Sequence, residues 1–361
     1  MNEFSWIFII ALVSMTAFEL WLSLRQTKHV TAHRNKVPEA FRSQIDIADH
    51  HKAADYTVAK GKIGRIESLI GLVLLVFWTL GGGLAWLFDT WQSLAWSEMT
   101  TGIVFMLSFF VIGAVLDLPL SWYKTFSLEQ KFGFNRTTPA VFLTDLAKQT
   151  ILMLIIGTPL LWLALWLMGS AGEYWWLQLW AVWMGFTLLM MWAYPAFIAP
   201  MFNKFTPLED ENLKAKVEGL LARCGFKSQG IFVMDGSKRS GHGNAYFTGL
   251  GSNKRIVFFD TLLTSLNEDQ IEAVLAHELG HFKRKHVIKN MIMMAIMSLV
   301  GLAILGWASS QEWFYTGLGV QTQSNAMALV LFMLVIPVFS FFLHPMMTAM
   351  SRKYEYEADD Y

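Results

Sequence analysis

His277 and His281 lie four residues apart and enclose a carboxylate in the run His277-Glu278-Leu279-Gly280-His281. On an α-helix, positions i and i+4 share one face, so both imidazoles can reach a single ion. Glu278 then stands beside that ion, where it can take a proton from a water. Two imidazoles and an adjacent base at this spacing are the signature of zinc-dependent hydrolysis. Coincidence is the competing reading, and the rest of the chain has to decide between them.

A catalytic zinc site usually holds three protein ligands and leaves one position open. The third ligand is sought in Tyr354-Glu355-Tyr356-Glu357-Ala358-Asp359-Asp360-Tyr361. Glu355 and Asp359 are again four apart. Glu355 would bind the ion, and Asp359 would accept the free ring N–H of a ligating histidine and fix its orientation. Glu357 with Asp360 is a rival pairing that spacing leaves open, and an acidic solvated helix end is the bland one.

The elements that must position these groups are legible around the motif. Ser265 and Glu268 have capping-box spacing, with Asn267 a second candidate cap. Ile271, Val274, Leu275 and Leu279 then form a helical stripe, and no proline falls between Asn267 and Asn290. Upstream, Leu208 to Cys224 has helical periodicity. Residues 230–234, 244–249 and 255–260 read as short strands. Residues 201–289 are therefore expected to form a small α+β protease subdomain whose edge strand could take an extended peptide by β-addition. The run Ser240-Gly241-His242-Gly243-Asn244 reads on spacing as a hairpin loop.

The remainder reads as membrane. The hydrophobic fraction is 54% and the charged fraction 16%, with a mean hydropathy of +0.40, whereas soluble domains carry about 25% charged residues. Seven stretches could cross about 30 Å of hydrocarbon. They lie near residues 4–23, 66–88, 101–123, 149–170, 176–199, 290–309 and 326–350. The first lacks a basic leader and a cleavage site, so it reads as an anchor. The sequence thus divides into spans 1–5 with basic loops (1–200), the subdomain (201–289), and spans 6–7 with the third-ligand segment (290–361).

All 28 Lys and Arg fall in loops that alternate to one side. The intervening loops at 89–100, 171–175 and 310–325 carry none. The positive-inside rule puts the N-terminus outside or lumenal, and puts both the HExxH segment and Glu355 at the cytoplasmic face. The last two spans form a hairpin that can return Glu355 to the histidines across 74 residues. The net charge of zero gives no sign of nucleic-acid binding. The basic loop from Arg25 to Arg65 is explained by orientation and by contact with lipid headgroups of the bilayer. A single cysteine, Cys224, excludes an internal disulfide. With no retention signal evident, a bacterial inner membrane is expected ahead of the endoplasmic reticulum. His29 with His33, and His344 near the seventh span's end, read as ordinary histidines, the last as buried and satisfied.

With these residues in view, the chain resembles the type I CAAX prenyl proteases, integral-membrane zinc metallopeptidases. The likeness runs through Leu118-Pro119-Leu120-Ser121-Trp122-Tyr123, Glu129-Gln130-Lys131-Phe132-Gly133-Phe134-Asn135 and Pro200-Met201-Phe202-Asn203-Lys204-Phe205-Thr206-Pro207. It continues through Ser240-Gly241-His242-Gly243-Asn244-Ala245-Tyr246, the HExxH run and Ser351-Arg352-Lys353-Tyr354-Glu355-Tyr356-Glu357-Ala358-Asp359. The resemblance implies that His277, His281 and Glu355 hold zinc and that Glu278 is the base. It also implies Glu355 over Glu357, and contact of Asn244 and His242 with the substrate. It further implies an all-α membrane fold of seven helices forming a barrel around a water-filled chamber. The implied substrate is the C-terminal tripeptide bond of a prenylated CAAX protein, or related membrane-associated peptides. Family members continue with further helix beyond the third-ligand motif, so the resemblance also implies a chain cut short at Tyr361. The alternatives are a membrane quality-control zinc protease and, in a different class, a transporter or scaffold with an accidental HExxH.

Overall fold

The computed structural model describes residues 1–226, 228–248 and 254–361. Among the described residues six helices are long and apolar enough to cross a membrane, seven if the one bent helix pair counts as a span. They are Glu3–His33, the pair Ile47–Trp78 with Gly83–Gln92, Glu98–Phe132, Pro139–Ser170, Trp175–Phe202, His286–Ala308 and Asn325–Asp359. All seven expected stretches fall within these elements. The second differs in form, because it breaks by 50°. The break is written in Gly81-Gly82-Gly83. Gly82 takes φ +78°, a left-handed conformation that a side chain would strain. At Gly81 a Cβ would lie 2.8 Å from the Phe77 carbonyl oxygen. Ile10, Val73, Ile155, Leu189 and Ile292 stay exposed on these helices, as expected of surfaces that face lipid.

The described chain forms two compact units. The first comprises Met1–Phe132, Leu154–Trp176 and Ala303–His344. Within it Glu3–His33 packs on Ile47–Trp78, and Phe8, Leu12, Leu84, Phe105, Met106, Leu318 and Leu331 are buried. Polar pairs also tie its helices together. Tyr56 donates to Glu129 at 2.6 Å, and Lys124 pairs with Glu67.

The second unit comprises Gly133–Met153, Leu177–Leu302 and Pro345–Tyr361, and it carries all the residues singled out for chemistry. Its sheet has the order β1-β2-β4-β3, from strands β1 (Phe205–Pro207), β2 (Ser228–Met234), β3 (Ala245–Thr248) and β4 (Lys254–Phe259). β2 and β4 run parallel, and β1 and β3 pair antiparallel at the two edges. Three strands were expected. β1 is an addition, too short to show alternation. The end of the second expected strand, Gly249, lies outside the described residues.

Behind the sheet, Glu211–Cys224 and Glu268–Lys283 pack together. Leu213, Val217 and Leu220 of the first helix share one apolar cluster with Ile256, Phe258, Ile271, Leu275 and Leu279. The predicted stripe is thus buried, with Val274 at its margin. On the outer side Lys216 pairs with Asp269, and this holds the Asp269 carboxyl below the usual carboxylate range. The cap is Asn267. Its side chain accepts from Gln270 N–H while the Gln270 side chain accepts from Asn267 N–H. The alternative, Ser265, closes the short preceding helix Asp260–Ser265 instead.

Candidate metallopeptidase centre

His277, Glu278 and His281 lie on the last two turns of Glu268–Lys283, a helix held by the apolar cluster beneath it. Glu355 and Asp359 lie on the last helix, His344–Asp359. Two features of this unit bring the segments together. Gly280 faces Ala358 so closely that a Cβ there would lie 2.7 Å from the Ala358 carbonyl oxygen and 2.9 Å from its Cα. Only glycine permits this backbone approach. The second feature is Lys285, whose left-handed φ of 57° breaks the chain between the HExxH helix and His286–Ala308.

The resulting geometry is compact. His277 Nε2 lies 3.2 Å from His281 Nε2. Glu355 Oε2 lies 3.3 Å from the first and 3.5 Å from the second. Four-coordinate zinc takes bonds of about 2.0–2.2 Å, so the edges of its tetrahedron are roughly 3.3–3.6 Å long. The three donor separations lie within about 0.1 Å of one tetrahedral face, and the two-nitrogen, one-oxygen set suits a metal ion. Asp359 Oδ1 lies 2.7 Å from His277 Nδ1. The ring donates there, which leaves Nε2 bare and turned toward Glu355. Glu278 is half-buried, and no hydrogen bond or ion pair engages its side chain among the described residues.

Glu357, the rival third ligand, points elsewhere. It takes a hydrogen bond from His286 Nε2 at 3.0 Å and lies 3.6 Å from Lys289. His286 carries no mark in the sequence. It is 2% exposed, and its Nδ1 lies 2.9 Å from His281 Nδ1. The spacing i, i+5 shares no helix face, and Lys283-Arg284-Lys285 before it reads as a solvated end. The positive-φ turn was the signal, and a lysine does not announce one. His344 is exposed, contrary to the buried reading, and it begins the helix that carries Glu355.

Asn244 and His242 are exposed. The Asn244 side-chain oxygen accepts from Ala245 N–H at 2.8 Å, and its carbonyl accepts from Phe259 N–H at 2.9 Å, which seats it where β3 begins. The His242 ring stacks on Phe134 at 4.2 Å between centroids, and its carbonyl accepts from Thr261 Oγ1. Their loop is more than a hairpin turn. Gly241 N–H donates to the Phe134 carbonyl at 2.8 Å, and Asn135 bridges to Ser240. Arg239 then binds Asp145 through two hydrogen bonds and Asn203 through a third. Two motifs a hundred residues apart in sequence thus form one structure at the open sheet edge. On that edge burial pushes the Tyr246 phenol above its ordinary value.

Comparison with known proteins now bears on this centre. Residues 26–204 match the model described as CAAX prenyl protease N-terminal, five membrane helices. Residues 207–361 match Peptidase family M48. A CAAX prenyl protease 1 homolog of Dictyostelium discoideum is 33% identical over 359 residues, spanning 95% of this chain and 82% of the relative. The chain belongs to the CAAX prenyl protease 1 family. CAAX prenyl protease 1 of Saccharomyces cerevisiae is 35% identical, over 97% of this chain and 82% of its own length. The crystal structure of S. mikatae Ste24p matches with a TM-score of 0.91 at 31% identity, covering 100% of this chain and 87% of that one. This CAAX prenyl protease 1 relative is therefore an integral-membrane metallopeptidase with the Ste24p fold. The accidental-motif and scaffold readings fall away.

The Gly280 contact yields a first test. Gly280→Ala should separate the two ligand-bearing backbones and weaken metal binding by about tenfold or more, an effect on the scale of displaced supporting groups. Chelator competition measures it. Unchanged affinity would show that the helices can part without moving the donors.

Proposed function

We propose that this chain is a zinc endopeptidase that removes C-terminal tripeptides from prenylated CAAX proteins, or cuts related membrane-associated peptides. The observation that carries the reading is the triangle of His277 Nε2, His281 Nε2 and Glu355 Oε2, with sides of 3.2, 3.3 and 3.5 Å. Those residues would hold the ion. When bound, zinc supplies Lewis acidity to the scissile carbonyl and the attacking water. Glu278 takes the proton as water attacks and returns it to the leaving amine. Asp359 fixes the His277 tautomer. β3 offers its free edge to the substrate backbone. Asn244, at the start of that edge, would contact the substrate, as would His242.

The substrate class follows the names of the relatives in Dictyostelium and yeast. Purified protein should cleave a farnesylated CAAX peptide and contain zinc. Cleavage of the unmodified peptide at equal kcat/KM would remove the prenyl requirement, and absence of zinc would remove the metal assignment.

The charge distribution supports an orientation with the centre facing the cytoplasm. That orientation is the same in a bacterial inner membrane and in the endoplasmic reticulum, and the eukaryotic relatives favour the latter. In sealed vesicles with the cytoplasmic face inside, an impermeant thiol reagent should label Glu209→Cys only after the vesicles are opened. Labelling of intact vesicles would reverse the topology.

A further inference from the structure

His286 is buried and titratable, and the proposed mechanism leaves it unused. Its ring is fixed on three sides. It stacks on Tyr354 at 4.3 Å and 15°, Nδ1 meets His281 Nδ1 at 2.9 Å, and Nε2 meets Glu357 Oε2 at 3.0 Å. Two ring nitrogens facing each other outside the proposed metal position form a hydrogen bond in which one donates and the other accepts.

The direction follows from Glu357. Its carboxylate lies 3.6 Å from Lys289 Nζ and 3.8 Å from Lys353 Nζ, and an ionised carboxylate only accepts. His286 Nε2 therefore carries the proton. A neutral His286 then has a bare Nδ1, which accepts from His281 Nδ1–H. The His281 Nε2 lone pair is left facing His277 and Glu355, the form a metal ligand requires.

We propose that Glu357 and His286 form a positioning relay that sets the tautomer of His281, as Asp359 does directly for His277. The two histidines of the motif are then held by acceptors of different strength, a carboxylate for His277 and a neutral imidazole for His281. This inference rests on the zinc reading above.

The test uses the full chain in detergent. Zinc affinity is measured by competition with a chelating fluorophore, and imidazole ¹⁵N shifts are recorded on metal-free protein. His286→Ala should weaken zinc about 10–100-fold, the range found for groups that orient metal ligands. Glu357→Met, nearly isosteric and at a partly open position, should weaken it in the same direction. His286→Asn should recover most of the loss, because its Oδ1 can still accept from His281. The ¹⁵N shifts should show His281 protonated at Nδ1 in the wild type and mixed in Glu357→Met, a change that mere filling of space would not produce.

Wild-type affinity in a folded Glu357→Met, or an unchanged His281 tautomer, would overturn the relay. Glu357→Met decides the matter if His286→Ala does not fold. A wild-type protein that binds no zinc would defeat the functional reading instead, and the metal-free ¹⁵N shifts would still report on the hydrogen-bond order.

Discussion

Glu278→Gln should keep zinc at the wild-type level and lose peptide hydrolysis by about 10²–10⁴-fold, the usual contribution of a positioned general base. The geometry makes this a clean substitution. Glu278 lies on the helix that supplies both imidazoles, yet its side chain has no hydrogen-bond or ion-pair partner among the described residues. Nothing structural is lost when the carboxylate becomes an amide of the same size. What is lost is the site that receives the proton of the attacking water. Turnover of a farnesylated peptide and metal analysis of the same sample check it. Unchanged turnover would remove Glu278 as the base. Loss of zinc would make Glu278 part of the grip on the ion.

Glu355→Ala should cost more than about 100-fold in zinc affinity, beyond the 10–100-fold typical of groups that only orient ligands. Glu355 makes its close contacts with the two imidazoles. Its side chain is otherwise 54% exposed, so truncation should leave the melting temperature of the metal-free protein in place. With the carboxylate gone, two nitrogens remain, and two ligands do not hold zinc against a chelator. The same measurement separates the two acidic candidates of the last helix. Glu357 acts through His286 and should weigh less. A larger loss at Glu357 than at Glu355 would exchange their roles.

The centre was more legible in the sequence than its surroundings. His277 and His281 announce themselves because the i, i+4 period places both on one face whatever surrounds the helix; Glu355 and Asp359 share that spacing, but the preference for Glu355 over Glu357 comes from the family resemblance. The buried stripe of Ile271, Leu275 and Leu279 is visible for the same reason. Spans could be counted because hydrocarbon thickness imposes a length on each apolar run. What stayed hidden depends on contacts between distant segments. His286 serves His281 across a turn that ignores helical period. Gly280 reads as a weak helix residue until Ala358 stands against it. The Ser240–Asn244 loop looks like a plain turn without Phe134 and Asn135 beside it. Asn244 and His242 owe their expected role to the family resemblance, and their contacts in the structure run to β3, β4 and Phe134.

The Gly280–Ala358 contact also has a bearing on how the protein is made. The HExxH helix leaves the ribosome well before the segment that bears Glu355, and two membrane crossings separate them. Until both crossings have inserted and the last helix has docked at Gly280, the nascent chain holds two imidazoles and no carboxylate. On the proposed ligand set, the centre is therefore incomplete until the last helix has docked.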